Sequence, residues 1–300
     1  MSLQLQRVKA SDMFSDLLSD PVVLRICLTA FVIGALSGFS GVFVVLQKQS
    51  LLGDVIAHAS LPGICLAWWA TRYSSNIVLT SGAFLSGVSA YIFLQFLSAR
   101  FKVKSDASLS ATLSIFFGFG ILLLSHIQRL PHAGEAGLET FMFGSLATVR
   151  KADLILSLSL LGIFVFFVML FWRKITIALF DPSLSWTHFG SMRGIRVVLG
   201  ALIIVIIGCG LPTMGALLVT SILIAPVVAA RVWSRGFLLL LILSGVLAGL
   251  SCFLGSLWSA VSRGVPPGPA STLFALAFVL ISVGVRKCWE STGKFFSLRA

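Results

Sequence analysis

Six stretches of this chain run for about 20 residues or more without a charge, at 26–46, 77–97, 107–125, 154–172, 237–262 and 264–285. A helix needs about 20 such residues to cross the hydrocarbon core of a bilayer. Each run is therefore predicted to be a membrane span, because only helices and closed barrels satisfy their own backbone hydrogen bonds inside lipid. With 58% hydrophobic residues, 11% charged residues and a mean hydropathy of +1.04, the chain leaves no separate water-soluble domain.

Residues 55–71 form a seventh, slightly short run that contains His58 and is expected to be broken near its start by Pro62. Residues 197–230 are also uncharged. As one helix they would measure roughly 50 Å against a core of about 30 Å, so two segments are predicted. Gly208, Gly210 and Pro212 supply turn signals between them. The expected total is about nine spans.

An odd number of spans puts the termini on opposite sides, and the Lys and Arg bias chooses between them. Fourteen fall on one side: Lys48; Arg100, Lys102 and Lys104; Arg173, Lys174, Arg193 and Arg196; Arg231 and Arg235; and Arg286, Lys287, Lys294 and Arg299. Eight fall on the other: Arg7, Lys9, Arg25, Arg72, Arg129, Arg150, Lys151 and Arg263. The C-terminus is predicted inside and the N-terminus outside.

The formal charge of +12 is spread between apolar runs and not gathered on one polar segment, which argues against a nucleic-acid partner. Cys27, Cys65, Cys209, Cys252 and Cys288 form no CxxC pair and read as small interior residues. Asp12, Asp16 and Asp20 interrupt the N-terminal segment, so no cleavable signal is expected there. Residues 3–18 alternate apolar and polar positions in a way that suits a helix lying on the membrane surface.

Ionisable side chains at membrane depth are costly and mark functional positions. One pair qualifies: Asp54 and His58, four residues apart on one helix face. A carboxylate oxygen and an imidazole nitrogen both ligate divalent Zn, Mn or Fe. Pro62 has no N–H to give to the carbonyl of residue 58, which frees that oxygen beside the pair. A plainer reading makes Asp54 a helix cap and His58 a hydrogen-bonded interior residue.

A second polar cluster, His126, His132, Glu135 and Glu139, lies between apolar runs on the expected outer side. It would either collect a cation at the entrance or form a solvated turn with a short helix after Pro131. No HExxH, GxSxG or phosphate-binding GxxxxGK[ST] occurs, so any ATP that drives the protein must bind another subunit.

The segment from Gly53 and Asp54 to Pro62 and Gly63 resembles the G-D-x-x-S-H-A-x-L-P-G of permease subunits in the manganese, zinc and iron family of ABC importers. Met214 to Pro226 is similar to that family's G-x-L-L-V-x-x-L-L-I-x-P. Weaker matches follow in order at Phe143 to Leu146, Phe180 to Gly190 and Pro266 to Pro269, so the resemblance runs from about residue 22 to 288.

The resemblance implies an all-α, type II ABC importer permease-like bundle over 22–288, with a segment before it at 1–21 and a cytoplasmic tail at 289–300. It implies a multi-pass location in the bacterial plasma membrane and no permanently bound cofactor, only a transported metal that Asp54 and His58 ligate in passing. The partners implied are ATP-binding cassette ATPase subunits, an extracytoplasmic metal-binding protein and a second permease subunit. Residues 181–194 correspond to the coupling segment that docks on the ATPase, with Asp181, Pro182, Ser185, His188 and Gly190 at the matching positions.

Three departures stand out. Ala57 replaces a usual Ser, and Ser183 to His188 lacks an acidic residue. Gly264 or Val265 stands where many members carry an Asp. A nonidentical second permease subunit is expected to supply that missing acid. The rival classes are an ATP-independent secondary transporter and an intramembrane enzyme.

Overall fold

In the computed structural model, residues 20–71, 76–101, 103–129, 149–180, 193–262 and 265–297 are described. They form ten helices: α1 (Pro21–Leu46), α2 (Leu52–Thr71), α3 (Asn76–Phe101), α4 (Ser105–Ile127), α5 (Lys151–Leu170), α6 (Trp172–Phe180), α7 (Arg193–Met214), α8 (Ala216–Trp233), α9 (Phe237–Val261) and α10 (Pro267–Ser297).

Helix α1 starts five residues before the charge-free run at 26–46, because Asp20 accepts a hydrogen bond from the Val22 N–H at 2.8 Å and Pro21 occupies the first turn. A proline there loses only an N–H that would have had no partner in the helix. At the other end of the chain, α10 runs on to Ser297, through most of the segment read from sequence as a tail.

Six helices are long and apolar enough to cross a membrane: α1, α3, α4, α5, α9 and α10. The expected nine exceed this by α2, α7 and α8. Helices α7 and α8 contain shorter apolar stretches, Val197–Leu211 and Val219–Trp233, and α2 carries Asp54 and His58. These helices lie among the others. On α2, residues Gly53, Val55 to Ala57 and Ala59 to Cys65 are buried, whereas α5 exposes Ile155, Leu156, Ile163, Phe166, Met169 and Leu170. A helix clad by protein can hold polar groups that a lipid-clad one cannot.

Pro62 does not break α2, contrary to expectation. Contacts on both sides of the proline hold the helix, although the hydroxyl donors go to the carbonyls of residues 57 and 59 and not to that of residue 58. The Ser60 hydroxyl donates to the Ala57 carbonyl at 2.6 Å, the Ser86 hydroxyl of α3 donates to the Ala59 carbonyl, and the Pro62 ring lies against Gly120 of α4. The second expected break also moves. Helix α7 continues through Gly208 to Pro212 and ends at Met214, and the chain turns at Gly215, whose φ of 84° favours glycine.

The most extensive packing joins α1 to α9. Small residues allow it: a β-carbon on Gly34 would lie 2.6 Å from the Cys252 Sγ, and one on Gly38 would lie 2.7 Å from the Ala248 Cβ. Close backbone approach through small residues is the main device for joining helices where lipid and side chains are equally apolar. The Ser244 hydroxyl adds a hydrogen bond of 2.8 Å to the Gly38 carbonyl. Phe43 meets Phe164 of α5 and Phe237 of α9 edge-on, and Trp172 of α6 stacks on Phe237 at 4.9 Å, so α6 lies against the start of α9. On the other side, α2 packs with α3 and α4 around Leu61, Ile64, Trp68, Leu79 and Ile127.

Candidate functional site

Asp54 lies in the first turn of α2, half-buried, where the helix crosses α8. Gly53 permits the crossing, since a β-carbon there would lie 2.9 Å from the Thr220 Cγ2. The Asp54 side chain faces a cavity of about 450 Å³, walled by Thr220, Ser221, Ile224 and Ala225 of α8 and by Thr272, Leu273 and Leu276 of α10.

Thr220 precedes the end of α8 at Trp233 by about 13 residues, which at about 1.5 Å per residue is roughly 20 Å. Thr272 precedes Arg286 on α10 by a similar distance, and Arg286 donates to the Val232 carbonyl, which fixes both helices at that end. The half-buried carboxylate thus faces an outward-opening cavity, away from the arginine-bearing end of α8.

Three hydroxyls share the cavity with Asp54. Thr272 donates its proton to the Pro269 carbonyl at 2.8 Å, which leaves oxygen lone pairs to accept. Carboxylate and hydroxyl oxygens in an otherwise apolar wall attract a cation and hold it loosely, with water able to complete its shell. The sequence reading named none of these hydroxyls as site residues. The signal was present in the adjacent Thr220 and Ser221 of an apolar helix, but nothing in their spacing said which neighbour they faced.

His58 is one turn further along α2. Its ring meets Phe117 of α4 edge-on, with centroids 4.8 Å apart, and the cavity walls do not include it. The pair therefore follows one another along α2, with the acid at the α8 and α10 cavity and the imidazole against α4.

His126 is exposed in the last turn of α4. His132, Glu135 and Glu139 lie outside the described residues, as do Asp181, Pro182, Ser185, His188 and Gly190. Among the described residues no three His, Cys, Asp or Glu side chains come together as a metal-holding group.

A multi-pass bundle with a half-buried acid and three hydroxyls in one cavity at a close helix crossing has the features of a membrane transport protein. The chain belongs to the ABC 3 transport family, whose model matches residues 19–286. It is 34% identical to the zinc transport system membrane protein TroC of Treponema pallidum (strain Nichols) over 267 residues, which cover 89% of this chain and 90% of that protein. It is also 34% identical over 251 residues to the manganese transport system membrane protein MntC of Bacillus subtilis (strain 168), covering 84% of this chain and 58% of the relative. Among solved structures, PsaBC from Streptococcus pneumoniae in complex with Fab is similar, with a TM-score of 0.76 and 25% identity over 90% of this chain and 94% of that one.

Proposed function

We propose that this chain is the permease subunit of an ATP-driven importer that carries a divalent transition metal, Mn, Zn or Fe, across a bacterial plasma membrane. The observation that carries the reading is the Asp54 carboxylate facing a cavity with the Thr220, Ser221 and Thr272 hydroxyls. Family membership and the zinc and manganese systems of the relatives support it.

In this reading an extracytoplasmic binding protein delivers the cation and a second, nonidentical permease subunit faces this one across the path. Separate ATPase subunits dock at residues 181–194 and drive alternation between outward and inward openings. Asp54 offsets part of the cation's charge while it is stripped of part of its water, and His58 offers a nitrogen one turn away. His126, with His132, Glu135 and Glu139, gathers cations at the outer mouth. An incomplete ligand set within one subunit suits transport, because the cation has to leave as readily as it enters.

The test is uptake of radiolabelled Mn or Zn by cells expressing Asp54→Asn. Asparagine keeps the shape and removes the charge, and it caps a helix about as well as aspartate. Uptake is expected to fall to background while membrane abundance and ATPase association stay at wild-type levels. Wild-type uptake at wild-type abundance would reject the ligand role and leave Asp54 as a structural residue of the first turn of α2.

A further inference from the structure

A second cavity, of about 400 Å³, opens at the other end of α8, between the turn into α9 and the late turns of α10. Its walls are Val232, Trp233, Ser234, Arg235, Arg286 and Trp289. Arg286 is anchored there by donating from Nη1 to the Val232 carbonyl at 2.8 Å. Arg235 sits across from it in the exposed turn that joins α8 to α9. Among the described lining residues there is no acid, and Arg231 and Lys287 add positive charge nearby in sequence; Glu290 follows Trp289.

The two indoles are conspicuous because they are exposed: Trp233 is 48% and Trp289 77% accessible. An exposed tryptophan at the end of an apolar helix belongs at the headgroup level of a bilayer, where its ring lies in the apolar boundary and its N–H in the polar layer. One turn toward the middle of the bundle from this cavity, α8 exposes Val228 on the face of Val232 and α10 exposes Val283 on the face of Arg286. The cavity thus combines paired guanidinium groups, flanking indoles and an apolar track leading into the membrane. It lies at the end of the bundle that the Lys and Arg bias assigns to the cytoplasm.

We propose that this cavity binds the headgroup of an anionic phospholipid. The phosphate diester oxygens lie between Arg235 and Arg286, since guanidinium donors match phosphate geometry. The glycerol region lies between the indoles, and the acyl chains follow Val228 and Val283. A lipid held there ties the α8–α9 turn to α10. The inference does not depend on the transported metal.

The test uses the full chain in detergent with the subunits that copurify with it. Dioctanoylphosphatidylglycerol, dioctanoylphosphatidylcholine and inorganic phosphate are each titrated, with binding read from native mass spectrometry. Roughly tenfold tighter binding of phosphatidylglycerol than of phosphatidylcholine is expected from two basic side chains at a lipid surface. Arg235→Gln is expected to lose most of that preference, and Arg235→Gln/Arg286→Gln all of it. The single variant keeps the Arg286 bond to Val232, so its effect is separable from damage to the α8 and α10 contact.

Equal affinity for the two lipids would overturn the proposal, as would a preference that survives in both variants. Inorganic phosphate binding as tightly as phosphatidylglycerol would assign the cavity to a free anion. Loss of ATPase association in Arg235→Gln, with lipid preference intact, would assign it to a protein partner. Either result removes the lipid site.

Discussion

Gly53 and Thr220 form the contact that brings Asp54 to its cavity: a β-carbon on Gly53 would approach the Thr220 Cγ2 to 2.9 Å, too close without a shift of α2 or α8. The two residues come from different helices, and the acid next to Gly53 faces the hydroxyls beside Thr220.

Gly53→Ala is therefore expected to reduce metal uptake by pushing α2 off α8, with a stability cost of about 1–3 kcal/mol typical of overpacking. Thr220→Ser removes the opposing methyl, so the double variant should recover most of the lost uptake. A double variant no better than Gly53→Ala alone would show that the contact does not position Asp54. Thermal unfolding of the detergent-solubilised variants measures the coupling directly.

His58 meets Phe117 and lies outside the walls of the Asp54 cavity. If it ligates the metal on its way past α2, His58→Leu should abolish uptake while abundance is unchanged, because leucine is easier to bury than an imidazole. His58→Phe, which keeps an aromatic ring beside Phe117 but has no nitrogen, should be equally inactive. Transport by His58→Phe but not by His58→Leu would assign the residue to packing against α4.

Gly38 and Gly118 make a matched comparison. A β-carbon on Gly38 meets the Ala248 Cβ at 2.7 Å, while one on Gly118 meets nothing within 4 Å. Gly38→Ala should lower the thermal midpoint by separating α1 from α9. Gly118→Ala should leave it unchanged or raise it, since alanine in a helix is favoured over glycine by about 0.5–1 kcal/mol. Equal destabilisation by both would mean that the α1 and α9 crossing does not depend on a small residue at 38.

The proposed coupling to the ATPase runs through residues 181–194. Cysteines at Ser185 or Thr187 should crosslink to the ATPase subunit, in a background where the exposed Cys288 is replaced by serine. Crosslinking from the Arg231 to Gly236 turn and none from Ser185 or Thr187 would move the docking site there.

Some of this was legible in the order of residues. Charge-free runs of about 20 residues dictate membrane helices, because the bilayer leaves the backbone no other partner. Asp54 and His58 stood out for the complementary reason, as ionisable groups in an apolar setting. The turn after the 197–214 segment was foreseen but misplaced by a few residues. Gly208, Gly210 and Pro212 are all compatible with the end of α7, and the left-handed backbone falls at Gly215.

What the sequence by itself determined, then, is the helices, the family and the Asp54 acid within an apolar setting. Only the tertiary structure decided that Thr220, Ser221 and Thr272 share a cavity with Asp54, that His58 turns to Phe117, and that Pro62 leaves α2 whole. The physical reason is that lipid and protein interior are about equally apolar. Hydropathy therefore marks a residue for burial without saying whether a lipid chain or another helix will cover it. That choice rests on close contacts such as Gly53 with Thr220 and Gly38 with Ala248, which exist only once helices distant in sequence have met.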